Sequence, residues 1–100
     1  MKKVEAVIRP EKLKVLTEKL KSMGLKELST SEFNIQNLER EEVMTKIKIE
    51  FVLNYAELDK YVEAIKSTAY TGEIGDGKIL VFDLENIIRI RTAEEGVAAL

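Results

Sequence analysis

The sequence contains no cysteine, no histidine and no tryptophan, and only one proline among its 100 residues. Without cysteine and histidine, the chain cannot form a thiolate or imidazole metal site, a disulfide framework or a nucleophile that depends on either residue. The composition therefore excludes most familiar catalytic mechanisms.

The chain also lacks long apolar runs and a strong charge of either sign. An apolar run such as Ile79–Phe82 is far below the roughly 20 residues of a membrane span, and Met1–Lys3 leads into alternating residues, not into an apolar signal core. Sixteen Lys and Arg against 18 Asp and Glu give a net charge of -2, whereas nucleic-acid-binding domains are usually strongly basic. We therefore predict a cytoplasmic protein that neither inserts into a membrane nor binds nucleic acid.

The remaining composition is that of one ordinary soluble domain. Apolar residues make up 45% of the chain and charged residues 34%, and no repeat, linker or low-complexity segment interrupts it. We therefore predict a single domain over residues 1–100. Because a domain of this size buries a modest fraction of its surface, oligomerisation is a reasonable source of further stability.

Hydrophobic periodicity predicts two strand-helix-strand units. Strands are indicated by alternation of apolar and polar residues, and helices by apolar residues three and four apart. The polar segment Asn34–Glu42 is interpreted as a loop or a hairpin end. This order predicts an α+β, ferredoxin-like βαββαβ fold, in which an antiparallel sheet carries both helices on one face. The predicted elements are strands at Lys2–Arg9, Leu25–Phe33, Lys46–Leu53, Lys78–Leu84 and Ile88–Arg91, and helices from Pro10 to Met23 and from Asn54 to about Thr68.

The strongest local signal is the segment Gly72–Lys78, which we call the glycine loop. Three glycines in six residues let backbone N–H groups converge on an anion without interference from Cβ atoms, and Lys78 adds a full charge. The spacing also matches G-x-x-x-x-G-K, but Ile79 stands where a P-loop has Ser or Thr, and a strand follows instead of a helix. The P-loop is thereby excluded, while a phosphate cradle and a plain connecting turn both stay open.

Arg89 and Arg91 are the second candidate. A strand of period two would place both guanidinium groups on one face, where they suit an oligophosphate. The alternative for this arginine pair is a solvated sheet edge that resists aggregation, which is the more common role of such residues. Lys46 and Lys48 are similarly interpreted as residues on the solvated face of the third strand. Phosphate binding gains support because the glycine loop and the arginine pair flank the same last strands.

Four segments at compatible spacing are informative when taken together: Met1–Pro10, Lys46–Glu50, Thr71–Ile79, and Arg89–Thr92 with the Glu94–Gly96 tail. These segments resemble the nitrogen regulatory PII signalling proteins. The resemblance covers nearly the whole chain in order, and it implies a ferredoxin-like fold and a compact homotrimer. It further implies a non-catalytic regulator that binds ATP or ADP in the three clefts between subunits and acts on an unidentified protein target. Magnesium could accompany the nucleotide, although the resemblance implies no protein ligand for it.

The same resemblance assigns binding roles by position. It implies no catalytic residue and no metal ligand. For Val7 and Val52, which the resemblance places against the nucleoside, ordinary packing within the sheet is a second interpretation, and both stay open. The resemblance places the nucleotide phosphates on Gly72, Gly75, Asp76, Gly77 and Lys78, and on Arg89 and Arg91 of the neighbouring subunit, with the nucleoside against Val7, Ser29, Glu50 and Val52.

The chain departs from the family between the second and third strands. Family members carry a long T-loop there, which enters target proteins and holds a modifiable tyrosine or serine. Here Asn34–Thr45 is roughly a dozen residues shorter, contains no tyrosine, and offers Gln36 in a context that does not match the family's 2-oxoglutarate site. Channel control, uridylylation and 2-oxoglutarate sensing are therefore not carried over, and the output surface is predicted at Asn34–Thr45 and at Glu94 and Glu95.

Three functional hypotheses follow. The first is a trimeric sensor of adenine nucleotides, and the second is a ferredoxin-like trimeric scaffold without a ligand. The third, a small acylphosphatase-type hydrolase, would need a glycine-bearing phosphate loop after the first strand. The sequence disfavours the hydrolase because Arg9 leads into Pro10 and a helix.

Overall fold

The computed structural model describes residues 1–100 and contains four strands and two α-helices. Short 3-10 turns at Pro10–Lys12 and Tyr55–Glu57 lead into the two helices, and a third turn at Gly96–Ala99 closes the chain. Neither helix is long and apolar enough to cross a membrane. The elements are β1 (Lys2–Ile8), α1 (Leu13–Ser22), β2 (Ser29–Asn37), β3 (Glu42–Leu53), α2 (Leu58–Ala69) and β4 (Lys78–Asp83).

The strands form one antiparallel sheet in the order β2-β3-β1-β4. Both crossover connections contain a helix, and both helices pack on the same face of the sheet, where alternate residues of β1 such as Val4 and Ala6 are fully buried. Leu16 of α1 and Ile65 of α2 complete this core with 0% and 1% exposure. The predicted ferredoxin-like fold is thus confirmed.

The opposite face of the sheet carries no helix. Residues directly across neighbouring strands point to the same side, and β1 pairs Val7 with Lys78 and Lys3 with Phe82. Large apolar side chains consequently lie in the open on this face: Leu80 is 40% exposed and Phe82 41%. We call it the open face.

The β2–β3 hairpin is longer than its polar sequence indicated. In the segment Asn34–Glu42, residues 34–37 continue β2, residues 38–41 form a turn, and Glu42 begins β3. The segment is therefore the end of a hairpin, as one of the two interpretations predicted, and the loop interpretation is wrong. The Asn37 carboxamide oxygen accepts the N–H groups of Glu39 and Arg40 at 3.1 and 3.0 Å, which orders the turn. Since β1 reaches only Ile47 of β3, the end of the hairpin projects beyond the sheet, where no buried face imposes alternation.

The predicted strand at Ile88–Arg91 is wrong. Apart from one bridge between Ile88 and Glu95, the segment is a tight turn, in which the Ala93 N–H donates to the Arg89 carbonyl oxygen at 2.8 Å. Ala93 adopts a φ of 59°, and Ile90 is fully exposed. The alternation of Ile and Arg in this segment therefore does not indicate a strand: the backbone forms a turn, and Ile90 contacts no core of its own chain.

Candidate functional site

Asp76 organises the glycine loop from within. Its carboxylate accepts the N–H groups of Thr71 and Gly72 at 2.8 and 2.9 Å, the Thr71 hydroxyl, and the Arg9 guanidinium at 3.1 Å. These donors, with the Thr71 hydroxyl foremost, hold the pKa of Asp76 well below its usual range. The side chain is therefore ionised and occupied inside the loop, so any contact of Asp76 with phosphate falls to its backbone N–H.

The outer side of the loop offers donors. The backbone N–H groups of residues 74–77 lie outside the helices and strands and have no acceptor in the chain. Lys78 follows them and makes no salt bridge, since its ammonium has no carboxylate within 4.0 Å. Four N–H groups without an acceptor, followed in sequence by a lysine without an ion pair, supply the donors that an anion-binding loop needs.

The base of the loop rests on two cations that the sequence-based assignment missed. Arg9 donates to the Ile74 carbonyl oxygen at 2.9 Å, and Lys46 donates to the Gly75 carbonyl oxygen. Lys46 is only 4% exposed, so its interpretation as a solvated lysine is wrong. Neither contact has a local sequence signal, because β1, β3 and the glycine loop meet only in the folded sheet.

Arg89 lies with three of the four nucleoside candidates in a second cavity. Ser29, Glu50, Val52 and Arg89 line this cavity of about 660 Å³ beside the end of the sheet. The Ser29 hydroxyl donates to the Glu50 carbonyl oxygen at 3.4 Å, and the Glu50 carboxylate pairs with Lys3 at 3.2 Å. Arg89 makes no ion pair and no side-chain hydrogen bond, and so remains free to contact a ligand.

The remaining nucleoside candidate, Val7, lies instead with the glycine loop. Val7, Asp76, Gly77 and Lys78 line a cavity of about 470 Å³ between β1, β4 and α2, and this cavity shares no lining residue with the one at Arg89. Arg91 lines neither cavity and is exposed and unpaired. Within one chain, the predicted site residues that line a cavity therefore form two separate groups. One group contains Lys78 and the other contains Arg89, and neither side chain has an ion pair.

The segment after β1 differs from the phosphate loop that an acylphosphatase-type hydrolase needs. After β1, Arg9 leads directly into the 3-10 turn Pro10–Lys12, and no glycine-bearing loop follows the first strand. No group of three or more acidic side chains could hold a metal ion. The acylphosphatase-type hypothesis therefore gains no support.

Comparison with known proteins gives the family. A family model described as nitrogen regulatory protein P-II matches residues 1–94. The nitrogen regulatory protein P-II of Pasteurella multocida is 40% identical, with all of both chains aligned. The chain belongs to the nitrogen regulatory protein P-II family. Nitrogen regulatory protein P-II 1 of Escherichia coli is likewise 40% identical over the full length of both chains, so the predicted resemblance is confirmed.

A solved P-II structure agrees with the fold. The crystal structure of Arabidopsis thaliana PII bound to citrate matches with a TM-score of 0.88 and 32% identity, over 99% of this chain and 91% of the other. The alignments with the Pasteurella and Escherichia P-II proteins span 112 positions. Because this chain has only 100 residues, at least twelve of those positions have no counterpart in it, a number equal to the predicted shortening of roughly a dozen residues.

Proposed function

We propose that this P-II-family protein binds ATP or ADP in clefts between the protomers of a homotrimer and regulates a partner protein in response. The observation that carries the proposal is the separation of the site residues into two groups. The glycine loop with Lys78 lies at one cavity and Arg89 at another, and each group is half of what an oligophosphate needs. A symmetric ring of protomers brings the first group of one chain against the second group of the next.

The phosphates would be held by backbone and side chains together. The N–H groups of residues 74–77 have no acceptor in the chain, and Lys78 stands beside them. Arg89 and Arg91 would approach from the neighbouring protomer with planar guanidinium groups, which bind phosphate oxygens in pairs. The Asp76 carboxylate is engaged by Thr71, Gly72 and Arg9 and is not free to hold magnesium; the ion, where present, would sit on the nucleotide.

The nucleoside would occupy the cavity at Ser29, Glu50 and Val52. Its volume of about 660 Å³ lies within the range of small-molecule sites, roughly 300–1,000 Å³. Val7 would complete the site from the protomer that supplies the glycine loop. The crystal structure of the Arabidopsis relative is described as bound to citrate, a small polycarboxylate, which is consistent with anion binding in this family.

Assembly into a trimer would also cover apolar surface. The open face exposes Leu80 and Phe82, and the C-terminal turn exposes Ile90 completely. Such side chains on a small domain favour association with further copies of the chain. On the same face Lys3 pairs with Glu5 and Glu50 at 3.2 Å, and Lys48 lies 3.9 Å from Glu50, so two lysines balance two glutamates.

Regulation would depend on the number of phosphates. ATP and ADP differ in how many of Lys78, Arg89 and Arg91 they engage, and only such a differential contact can shift a conformational equilibrium. The β2–β3 hairpin is one candidate output surface: Leu38 at its tip is 84% exposed and Val43 is 64% exposed. The exposed Glu94 and Glu95 provide the second.

The test is calorimetry with ATP, ADP and AMP, with and without magnesium, on protein whose mass is measured by sedimentation. We expect a stable trimer, one nucleotide per protomer, and affinity that falls from ATP to ADP to AMP as phosphate contacts are lost. A trimer that binds none of the three would instead be the ligand-free scaffold. A stable monomer at micromolar concentration would contradict the proposed cleft.

A further inference from the structure

Lys46 is the only charged residue among the fifteen buried residues of the chain. Its ammonium has no carboxylate within salt-bridge distance, and its one hydrogen bond goes to the Gly75 carbonyl oxygen. Burial and the neighbouring Arg9 lower the pKa of Lys46. The negative charges of Glu11 and Asp76 favour the ammonium, but neither forms an ion pair with it. Because a buried ammonium without a direct ion pair is costly, an apolar residue of similar size would stabilise this position better.

Arg9, which directly follows β1, reaches the same part of the glycine loop. It donates from Nη2 to the Ile74 carbonyl oxygen at 2.9 Å and from Nε to the Asp76 carboxylate at 3.1 Å. A Cβ at Gly75 would lie 3.4 Å from Arg9 Nη2 and 3.5 Å from Lys46 Nζ, so both cations lie against one side of this residue. Consecutive carbonyl groups, those of Ile74 and Gly75, are therefore both drawn towards the sheet.

Peptide geometry then decides where the donors of the loop point. In a trans peptide the C=O and the following N–H are fixed in opposite directions, and the chain contains no cis peptide. A carbonyl of Ile74 drawn inward turns the N–H of Gly75 outward, and the carbonyl of Gly75 does the same for the N–H of Asp76. Both N–H groups belong to the set without an acceptor in the chain.

We propose that Arg9 and Lys46 are positioning residues of the glycine loop: they hold the carbonyl groups of Ile74 and Gly75 inward and thereby aim the N–H groups of Gly75 and Asp76 at a bound phosphate. Neither side chain needs to contact the ligand for this role. The inference rests on the proposed nucleotide site for its functional consequence, but the orientation of the loop is measurable without any ligand.

The experiment compares Lys46→Met and Arg9→Met with the parent and with Lys14→Met. Methionine keeps the unbranched apolar stem and removes the donors and the charge, and Lys14 is an exposed helix residue with no ion pair, so its variant controls for loss of one positive charge. Backbone order parameters of Gly75 and Asp76 are measured by NMR on the ligand-free protein, together with ATP affinity and Tm.

We expect order parameters of these two amides to fall from about 0.85 in the parent to below about 0.6 in both variants. ATP should bind about tenfold more weakly, as expected when a charge-assisted contact that orders the donors is lost. The Tm of Lys46→Met should stay the same or rise, because a buried charge has been removed. Arg9→Lys should restore only part of the affinity, since one ammonium nitrogen cannot take the places of Nε at the Asp76 carboxylate and Nη2 at the Ile74 carbonyl oxygen.

Each outcome separates this role from the alternatives. Loss of ATP affinity together with a fall in Tm and intact loop order would make Lys46 a structural residue and overturn the proposal. A rigid loop and parent-like affinity in both variants would overturn it as well. If the parent binds no ATP, the proposed nucleotide site fails, and the order parameters alone decide whether Arg9 and Lys46 orient the loop.

Discussion

Gly77 lies so close to Val7 that a Cβ on Gly77 would stand 1.7 Å from the Val7 carbonyl oxygen. Gly77 also has a φ of 111°, a conformation that side chains other than glycine rarely adopt. The end of the glycine loop is thus packed directly on the backbone of β1, immediately before β4 pairs with that strand. This contact fixes where Lys78 and the open N–H groups stand relative to the sheet.

Gly77→Ala should therefore disrupt the loop and destabilise the fold. The new Cβ meets backbone that cannot rotate away, so we expect a loss of more than about 2 kcal/mol in the free energy of unfolding, in the range of severe single substitutions. Gly24→Ala is the matched control, because Gly24 has a similar φ of 105° but no atom within 4 Å of an added Cβ. Denaturant unfolding of both variants measures the difference, and equal losses would mean that the contact with Val7 is unimportant.

Lys78→Ala and Arg91→Ala should each weaken ATP binding. Both cations are free of ion pairs in the chain, so their removal costs no internal contact, and the expected loss is about 1.5–3 kcal/mol, the scale of a charge-assisted hydrogen bond. Trimer formation and Tm should stay near those of the parent. Titration calorimetry is the measurement, with Lys14→Ala as the control, and parent-like affinity in both variants would mean that the phosphates bind elsewhere.

The contribution of Asp76 should depend on pH with a defined sign. The pKa of Asp76 is lowered in the folded protein. Ionised Asp76 therefore contributes its full stabilisation of the folded state at pH values above the ordinary aspartate pKa of about 4. This stabilisation is lost as the pH falls towards the lowered pKa of the folded state. The Tm difference between the parent and Asp76→Asn should be constant from about pH 7 to 5 and should shrink below about pH 4. A difference that persists unchanged into acid would show that charge on Asp76 is not its source.

We expect 2-oxoglutarate to leave ATP affinity unchanged. The chain is short between β2 and β3, Gln36 lies in a regular strand, and Lys46 is occupied by the Gly75 carbonyl oxygen. Coupling between two ligands requires contacts from both, so millimolar 2-oxoglutarate with magnesium should alter the ATP dissociation constant by less than about twofold, or some 0.4 kcal/mol. A tenfold tightening would instead assign Gln36 or Lys46 a ligand role in this chain.

Local sequence carried most of the fold but little of the site's arrangement. Strong periodicity was sufficient for β1, for the core part of β3 and for both helices, because each has a face buried in the core. β4 was predicted from its apolar run, and only its Ile79 packs against the core. Periodicity failed at Asn34–Asn37, which pair with β3 where β3 extends past β1 and no core lies beneath it. It also failed at Ile88–Arg91, where alternating residues lie in a turn. The burial of Lys46 and its contact with Gly75 depend on the register of β3 and on a residue 29 positions away, so local pattern could not predict them.

The central claim is that each nucleotide site combines the glycine loop of one protomer with the arginines of the next. Mixed trimers test it directly: a Lys78→Ala chain is assembled with a chain that carries Arg89→Ala and Arg91→Ala, and ATP sites are counted by calorimetry. Neither variant alone should retain sites of parent affinity. When the two chains are mixed in equal amounts, about one cleft in four should regain that affinity, because it combines the intact glycine loop of one variant with the intact arginines of the other in a cyclic trimer. If mixing restores none, Lys78 and the arginines act within the same chain and the inter-protomer site is contradicted.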